Sequence, residues 1–203
     1  MSCEKQLPYL PEERCPGCGG PNAGYLPFCR DCIEAVGGRP WKLAVSALPF
    51  TGMARRLIHL YKFRSCLAVA PFLAGHMLDA WNAYGCGCRP DAIAYIPLHC
   101  IRHFTRGYNQ AEILAEMLSE KLGIPKCRAL RRTRMTSRQS SLDLRRRADN
   151  MRGAFIANEN RVAGKRILLV DDVFTTGTTF SVATKALLDA GAADVYVLSA
   201  ARA

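Results

Sequence analysis

Apolar residues recur at helical spacing in three stretches of the chain. Over residues 52–63, Ala54, Leu57, Ile58 and Tyr61 share one face. A second helical stretch runs over roughly 68–81. The strongest pattern covers 109–122, where Ile113, Leu114, Met117, Leu118 and Leu122 form one stripe. Asn109 is placed to cap that helix, with Glu112 three residues on as a capping box requires, and Gly123 and Pro125 end it. The strand signals are shorter. Asp91–Ile96 is a run stopped by Pro97, Arg166–Val170 is continuously apolar, and Val195–Leu198 is apolar throughout. Between the last two, a polar loop over 171–178 leads into a helix over 179–190 closed by Gly191. Strand, helix and strand in so short a span make a βαβ unit. The fold class expected is therefore α/β, a parallel sheet flanked by helices.

The first 40 residues break the pattern. They are rich in Pro and Gly, lack sustained periodicity, and carry half of the ten cysteines. The chain divides into a cysteine knuckle over 1–40 and a cored domain over 41–203. Within the latter, 41–90 is the helical part and 91–203 the core. Residues 131–153 show little apolar content and much Arg, Ser and Thr, which predicts a flexible loop with a helical turn near Leu142–Arg147.

Composition adds two constraints. The chain of 203 residues is 49% apolar, enough for a real core, and it has no run long enough to span a membrane. The N-terminus has no apolar region of the secretory kind, so the cytoplasm is expected. The net charge of +11 is uneven: ten Lys/Arg lie between Lys126 and Arg152 against Asp143 and Asp149, so +8 falls in one segment. A block of this kind suits a phosphate-bearing partner, and it is also what a solvated basic surface looks like.

Cys15-Pro16-Gly17-Cys18 and Cys29-Arg30-Asp31-Cys32 are two Cys-x-x-Cys pairs ten residues apart. Four thiolates so spaced suit tetrahedral Zn²⁺, and so poor a core needs a metal to fold. Cys86-Gly87-Cys88 is too sparse for a site, and Cys66, Cys100 and Cys127 are expected as small buried side chains.

The segment from Ile167 to Thr179 carries the candidate chemistry. Ligands of open α/β sheets collect beyond the carboxyl ends of strands, where Asp171 and Asp172 are expected. The loop Thr175-Thr176-Gly177-Thr178-Thr179 leads to a helix N-terminus, which attracts anions, and Gly177 lets amides approach a phosphate. It has no Lys, so it is not a nucleoside-triphosphate P-loop. Two acidic residues beside a phosphate cradle make sense as acceptors for ribose hydroxyls, or as outer-shell partners of Mg²⁺ on a pyrophosphate. A Walker B strand or a receiver-domain acceptor would also end in Asp-Asp, but neither accounts for the threonines.

Val170-Asp171-Asp172-Val173-Phe174-Thr175-Thr176-Gly177-Thr178 resembles the phosphoribosyl-pyrophosphate (PRPP) signature of type I phosphoribosyltransferases. Three further features resemble the ComF (competence protein F) family, which couples a zinc knuckle to that fold. They are Arg106-Gly107-Tyr108-Asn109-Gln110, the cluster Cys15–Cys32, and the series Arg132, Thr133, Thr136, Gln139, Leu142, Arg146 and Asn150. The resemblance spans nearly the whole chain. It implies that Asp171 and Asp172 hold the ribose 2′- and 3′-hydroxyls and that Thr175–Thr179 cradles the 5′-phosphate. It also implies that Pro97, Leu98 and His99 occupy the pyrophosphate loop, and that 131–150, with Arg132, Thr133, Gln139 and Arg146, is the catalytic flexible loop. Zn²⁺ would be structural and Mg²⁺ would accompany PRPP.

The acceptor-binding hood of this fold has no C-terminal candidate, since the chain ends just past the last strand, so Trp41–Arg89 is expected to supply it. The resemblance also implies a role in DNA uptake during natural transformation. Three functions stand side by side: an active PRPP-dependent transferase, a non-catalytic PRPP or nucleotide sensor, and a protein that handles single-stranded DNA alongside DNA-uptake partners.

Overall fold

The computed structural model of the protein describes residues 7–22, 26–35, 38–64, 66–85, 87–98, 107–133 and 153–203. In chain order a one-turn helix α1 (Arg30–Ile33) precedes β1 (Leu43–Pro49), α2 (Gly52–Phe63) and α3 (Ala70–Tyr84). Then come β2 (Ala92–Tyr95), α4 (Gln110–Leu122), β3 (Leu130–Arg132) and β4 (Phe155–Ala157). The last part is α5 (Glu159–Val162), β5 (Arg166–Phe174), α6 (Thr178–Asp189) and β6 (Asp194–Arg202). Four strands form a parallel sheet in the order β1-β6-β5-β2, and β3 pairs with β4 as a separate antiparallel ribbon. The expected βαβ unit is β5-α6-β6, with β5 and β6 at the centre of the sheet.

Alternation along the strands builds two cores. Leu168 and Val170 of β5, Val45 of β1 and Leu198 of β6 pack with Tyr61, Leu73, Met77, Leu114 and Leu118 of α2, α3 and α4. Ile167 and Leu169, one residue out of phase, pack with Trp41, Phe180 and Leu187 on the other face. Both faces of the sheet are thus buried, which is why its central strands read as continuous apolar runs.

Helix α4 begins as expected. The Asn109 Oδ1 accepts from Ala111 N–H at 3.1 Å, while its Nδ2 donates to the Ile96 carbonyl at 3.0 Å. Glu112 does not need the capping-box role, because its carboxylate accepts from the Tyr95 hydroxyl at 2.9 Å. Gly123 ends the helix in the left-handed region, with φ of 66°.

The structure departs from the sequence reading in four places. β1 shows no clean alternation, yet it is a strand of the core sheet, so the helical part of 41–90 starts inside that sheet. β5 does not stop at Val170. Its ladder with β6 continues through Asp171↔Ser199 to Phe174↔Arg202, so both aspartates lie within a strand rather than past its end. α6 starts one residue early, at Thr178. Cys66 and Cys127 are half-buried rather than buried. The loop tip over 134–152, with the helical turn expected there, lies outside the described residues, as do Cys86 and Cys100. Among the described residues no helix is long and apolar enough to cross a membrane.

Candidate functional site

The four cysteines of the knuckle converge as their spacing predicts. The sulfurs of Cys15, Cys18, Cys29 and Cys32 all lie within 4.8 Å of one another, and three of the four residues are buried. A tetrahedral zinc site with bonds of about 2.3 Å has sulfur–sulfur edges of about 3.8 Å, and Cys18 and Cys29 stand 3.6 Å apart. The Cys29 amide donates to Cys15 Sγ at 3.2 Å, as a thiolate acceptor would ask. With nothing but protons to share, the thiols compete. Cys18 is held low, first by a hydrogen bond from Cys32 and then by Arg202, while burial holds Cys29 up and the Cys18 hydrogen bond holds Cys32 up. A divalent cation among them removes that competition, so the residues fit a metal.

The knuckle sits against the sheet. The Pro16 carbonyl accepts from Ala44 N–H at 2.7 Å, Arg14 Nη1 donates to the Ser46 carbonyl at 2.8 Å, and Trp41 Nε1 donates to the Gly17 carbonyl at 3.0 Å. Gly19, at φ of 67°, leaves no room for a Cβ, which would collide with the backbone of Val45 and Ser46.

The phosphate-type loop is bracketed by aromatics. Phe174 before it and Phe180 after it stack at 5.4 Å, and Trp41 meets both edge-on. Between them Gly177 takes φ of 79°, and a Cβ there would collide with Arg39 Nη1 and approach Phe174 Cζ to 2.8 Å. Only glycine satisfies both constraints. α6 starts at once with no side-chain cap, and the Thr176 and Thr178 hydroxyls bond each other at 2.9 Å. The Thr178 amide reaches the Thr176 hydroxyl at 3.4 Å, and with no side-chain cap on Gly177 the head of this twelve-residue helix is of the kind that attracts an anion.

The two aspartates differ from each other and from expectation. Asp172 is 6% exposed, and Lys62 Nζ of α2 lies 2.8 Å from its Oδ1. Asp171 keeps a partial opening to solvent, and its Oδ1 accepts from the Asp172 amide at 2.8 Å. Burial, and after it the charge of Asp172, raises the Asp171 carboxyl well above the ordinary carboxylate range, against the opposing pull of Lys62. Tyr61 is raised too, by burial and then by the Asp172 charge.

Lys62 escaped the sequence reading, because a single Lys on an amphipathic helix looks like any solvated charge. Arg39 escaped it for the same reason, in a short loop before β1. Its Nη1 donates to the Thr176 carbonyl at 2.8 Å. The described residues of the Arg-Gly-Tyr-Asn-Gln run cluster around α2. Tyr108 Oη donates to the Tyr61 carbonyl, Tyr61 Oη donates to the Gln110 carbonyl at 2.8 Å, and Gln110 Nε2 reaches the Lys62 carbonyl at 3.5 Å. Gly107 has φ of 77°. Pro97 and Leu98 follow β2, whose register sets Tyr95 beside Val170, and so stand level with the aspartates. At the hairpin, Thr133 Oγ1 donates to the Gly153 carbonyl at 2.7 Å, and Arg132 lies over the Phe155 ring, near enough to act on the Asp171 charge. His99, Arg106, Gln139 and Arg146 lie outside the described residues.

A cavity of about 990 Å³ borders the loop on its knuckle side. Thr175, Thr176 and Thr178, Arg39 and Arg202, and Val182 of α6 are among the residues that line it. Asp171 and Asp172 do not line it, so the cavity and the carboxylates address the loop from different directions.

The family described as phosphoribosyl transferase domain matches residues 105–202. The DNA utilization protein YhgH of Salmonella typhimurium is 36% identical over 188 residues, 90% of this chain and 81% of that protein. Competence protein F of Haemophilus influenzae is 31% identical over 208 residues, 99% of this chain and 89% of that one. Among solved structures, the glutamine PRPP amidotransferase from B. subtilis complexed with ADP and GMP matches with a TM-score of 0.45 at 26% identity, over 64% of this chain and 26% of that one.

The raised Asp171 carboxyl has a consequence for stability. The folded protein binds this proton better than the unfolded chain does. That contribution is complete below the unfolded value of about 4 and is lost as pH rises through the folded value. Asp171→Asn removes the dependence. Relative to wild type, the variant should gain thermal stability as pH rises from about 4 to about 9. Melting midpoints across that range test it, and a difference that stays flat or shrinks with pH would overturn the assignment of a proton-holding Asp171.

Proposed function

The chain belongs to the ComF (competence protein F) family, whose members carry a phosphoribosyltransferase domain, and from that premise we propose that it binds Mg²⁺–PRPP or a ribose 5-phosphate nucleotide and transfers the phosphoribosyl group. One observation carries the reading: the carboxylate pair of β5 stands a few residues from the open helix head of α6, joined through the glycine that only glycine can be. Phosphate at one end and hydroxyls beside it match that order.

In this reading Asp171 and Asp172 accept from the ribose hydroxyls, with Lys62 fixing the Asp172 carboxylate in place. The amides and hydroxyls of Thr175–Thr179 hold the 5′-phosphate. Pro97, Leu98 and His99 flank the pyrophosphate. Arginines of the 131–153 segment, Arg132 and Arg146 among them, face the leaving group. Loss of pyrophosphate from the anomeric carbon develops oxocarbenium character, so positioning and charge do the catalysis and no protein nucleophile is needed. Mg²⁺, when bound, neutralises pyrophosphate charge, with the aspartates as outer-shell partners. The knuckle holds one structural Zn²⁺, which suits a reducing cytoplasm.

Three measurements test the proposal. Calorimetric titration should show Mg²⁺–PRPP binding to wild type, and the change of both Asp171 and Asp172 to Asn should weaken it at least about tenfold, since a hydrogen bond to a charged acceptor such as the Lys62-paired Asp172 contributes roughly 1.5–3 kcal/mol. Equal binding by both proteins, or none by folded wild type, sinks the site. Pyrophosphate release in a metabolite screen separates a transferase from a sensor. Metal analysis should find about one zinc per chain, lost on Cys29→Ser with Cys32→Ser. A zinc-free protein with reduced thiols rules the metal out.

The relatives' names, DNA utilization protein and competence protein, favour a second role on the same scaffold. The basic segment 126–152 would contact single-stranded DNA and so place this chemistry beside DNA uptake. Binding should then weaken steeply with salt, each neutralised phosphate adding about −0.7 to the log–log slope. Replacing Arg145, Arg146 and Arg147 by Ala should flatten that slope, and an unchanged slope moves the DNA surface elsewhere.

A further inference from the structure

Arg39 stands where the cysteine knuckle meets the phosphate-type loop. It belongs to the short stretch between α1 and β1, and its guanidinium lies 5.5 Å from the Trp41 ring and 5.4 Å from the Phe174 ring. One end, Nη1, donates to the Thr176 carbonyl at 2.8 Å. The same side chain reaches the Cys32 thiol. Its Nε is buried and has no hydrogen-bond partner among the described residues. A second guanidinium mirrors it: Arg202, with its side chain 11% exposed, reaches the Cys18 thiol, pairs with Asp31 at 3.2 Å, and also has a buried Nε without such a partner.

Two guanidiniums packed against four thiols make sense once the charge is counted. Four thiolates around one Zn²⁺ leave a net charge of about −2. That charge gives each arginine a counter-ion. Of the two, only Arg39 also grips the phosphate-type loop, and it does so at Thr176, next to the one residue held at φ of 79°.

We propose that Arg39 couples metal occupancy of the knuckle to anion binding at Thr175–Thr179, so that the knuckle is an allosteric partner of the site. With the metal in place the cluster charge pins the guanidinium, and the guanidinium holds the Thr176 carbonyl and the Gly177 turn in their binding shape. When the metal leaves, the guanidinium loses its counter-charge, and the ligand must order the loop itself. Arg39 is a positioning residue here; it acts on the ligand through the Thr176 backbone. The proposal rests on the phosphoribosyl reading of the loop.

Linkage supplies a test that mere packing would not pass. If the metal raises PRPP affinity by some factor, PRPP must raise metal affinity by the same factor. The zinc-loaded full chain is equilibrated with a chromophoric zinc chelator, with and without saturating Mg²⁺–PRPP. In wild type, PRPP should tighten zinc binding about fivefold or more. Zinc-free protein should bind PRPP more weakly by a matching factor. In Arg39→Ala the ratio should fall to about one, while metal analysis still finds the zinc of the wild type. Should that variant fail to fold, Arg39→Gln serves, because its amide still donates to a carbonyl but carries no charge for the cluster to hold, and its ratio should fall likewise. A wild type that binds PRPP with a ratio of one overturns the coupling and leaves the phosphoribosyl reading intact. Retention of the full ratio by either variant overturns the role of Arg39. A wild type that binds no PRPP overturns both.

Discussion

The open edge of β1 is the constraint on which the rest of the molecule turns. β1 is the outer strand of a parallel sheet, and an outer strand presents unpaired N–H and C=O groups that would pair with any chain that came near. Here the cysteine knuckle takes them. Pro16 receives the Ala44 amide, Arg14 reaches the Ser46 carbonyl, and the Ser46 hydroxyl donates to the Cys18 carbonyl at 3.1 Å. The opposite edge is treated in the same way: the Pro125 carbonyl accepts from Ile93 N–H, and Cys127 N–H donates to the Ile93 carbonyl. A knuckle so short has no core of its own, so what keeps it shaped to cover β1 is the convergence of its four sulfurs. Cysteine cluster, edge and sheet form one unit, and the phosphate-type loop hangs from that unit through Arg39, Trp41 and Phe174.

The second constraint is the pair of carboxylates inside a strand. Backbone pairing with β6 carries β5 four residues past Val170, where its continuous apolar run is interrupted, so Asp171 and Asp172 enter the sheet instead of a loop, with Val173 and Phe174 after them. Two adjacent carboxylates in such a place repel each other and lose hydration. The chain relieves this by bringing Lys62 in from α2 against Asp172 and by leaving Asp171 partly open and hard to ionise. A ligand that offers hydroxyl donors satisfies what the protein alone leaves strained. The proposed ribose site would make use of this unfavourable placement.

Much of this could be read from the chain, and the reasons for the rest are physical. The Asn109 cap, the Gly123 stop, the βαβ unit and the four convergent cysteines all rest on local rules, and each stands in the structure. Those rules do not reach the parts set by partners distant in sequence. β1 looks irregular because both of its faces are buried, Val45 and Leu48 in one core and Ala44 in the other, so no exposed polar positions alternate with the apolar ones. The apolar run predicts an end of β5 at Val170 because two carboxylates interrupt it there, while pairing with Ser199 and Ala201 continues to the buried Phe174. Lys62 and Arg39 have no local signature, since what makes them matter is an aspartate and a carbonyl more than a hundred residues away.

The Gly107-Tyr108-Asn109-Gln110 segment shows how such a distant effect is written into a short motif. α2 is one of the helices whose last carbonyls lack partners of their own. Arg64 N–H takes the Leu60 carbonyl at 3.0 Å, but the next two, Tyr61 and Lys62, receive the Tyr108 hydroxyl and the Gln110 side chain. The motif is thus a cap supplied from another helix. In return the Tyr61 hydroxyl donates to the Gln110 carbonyl in the first turn of α4, and Asn109 ties that turn to the end of β2 at Ile96. The result is a closed frame of α2, α4 and β2 around one side chain. Lys62 lies at the capped end of α2, and its ammonium meets Asp172 only if that end cannot fray. A cap made by α2 itself would hold the helix but not its position over β5. Supplying it from the residues that start α4 fixes both at once, which is a reason for so local a motif to specify a contact made by none of its own side chains.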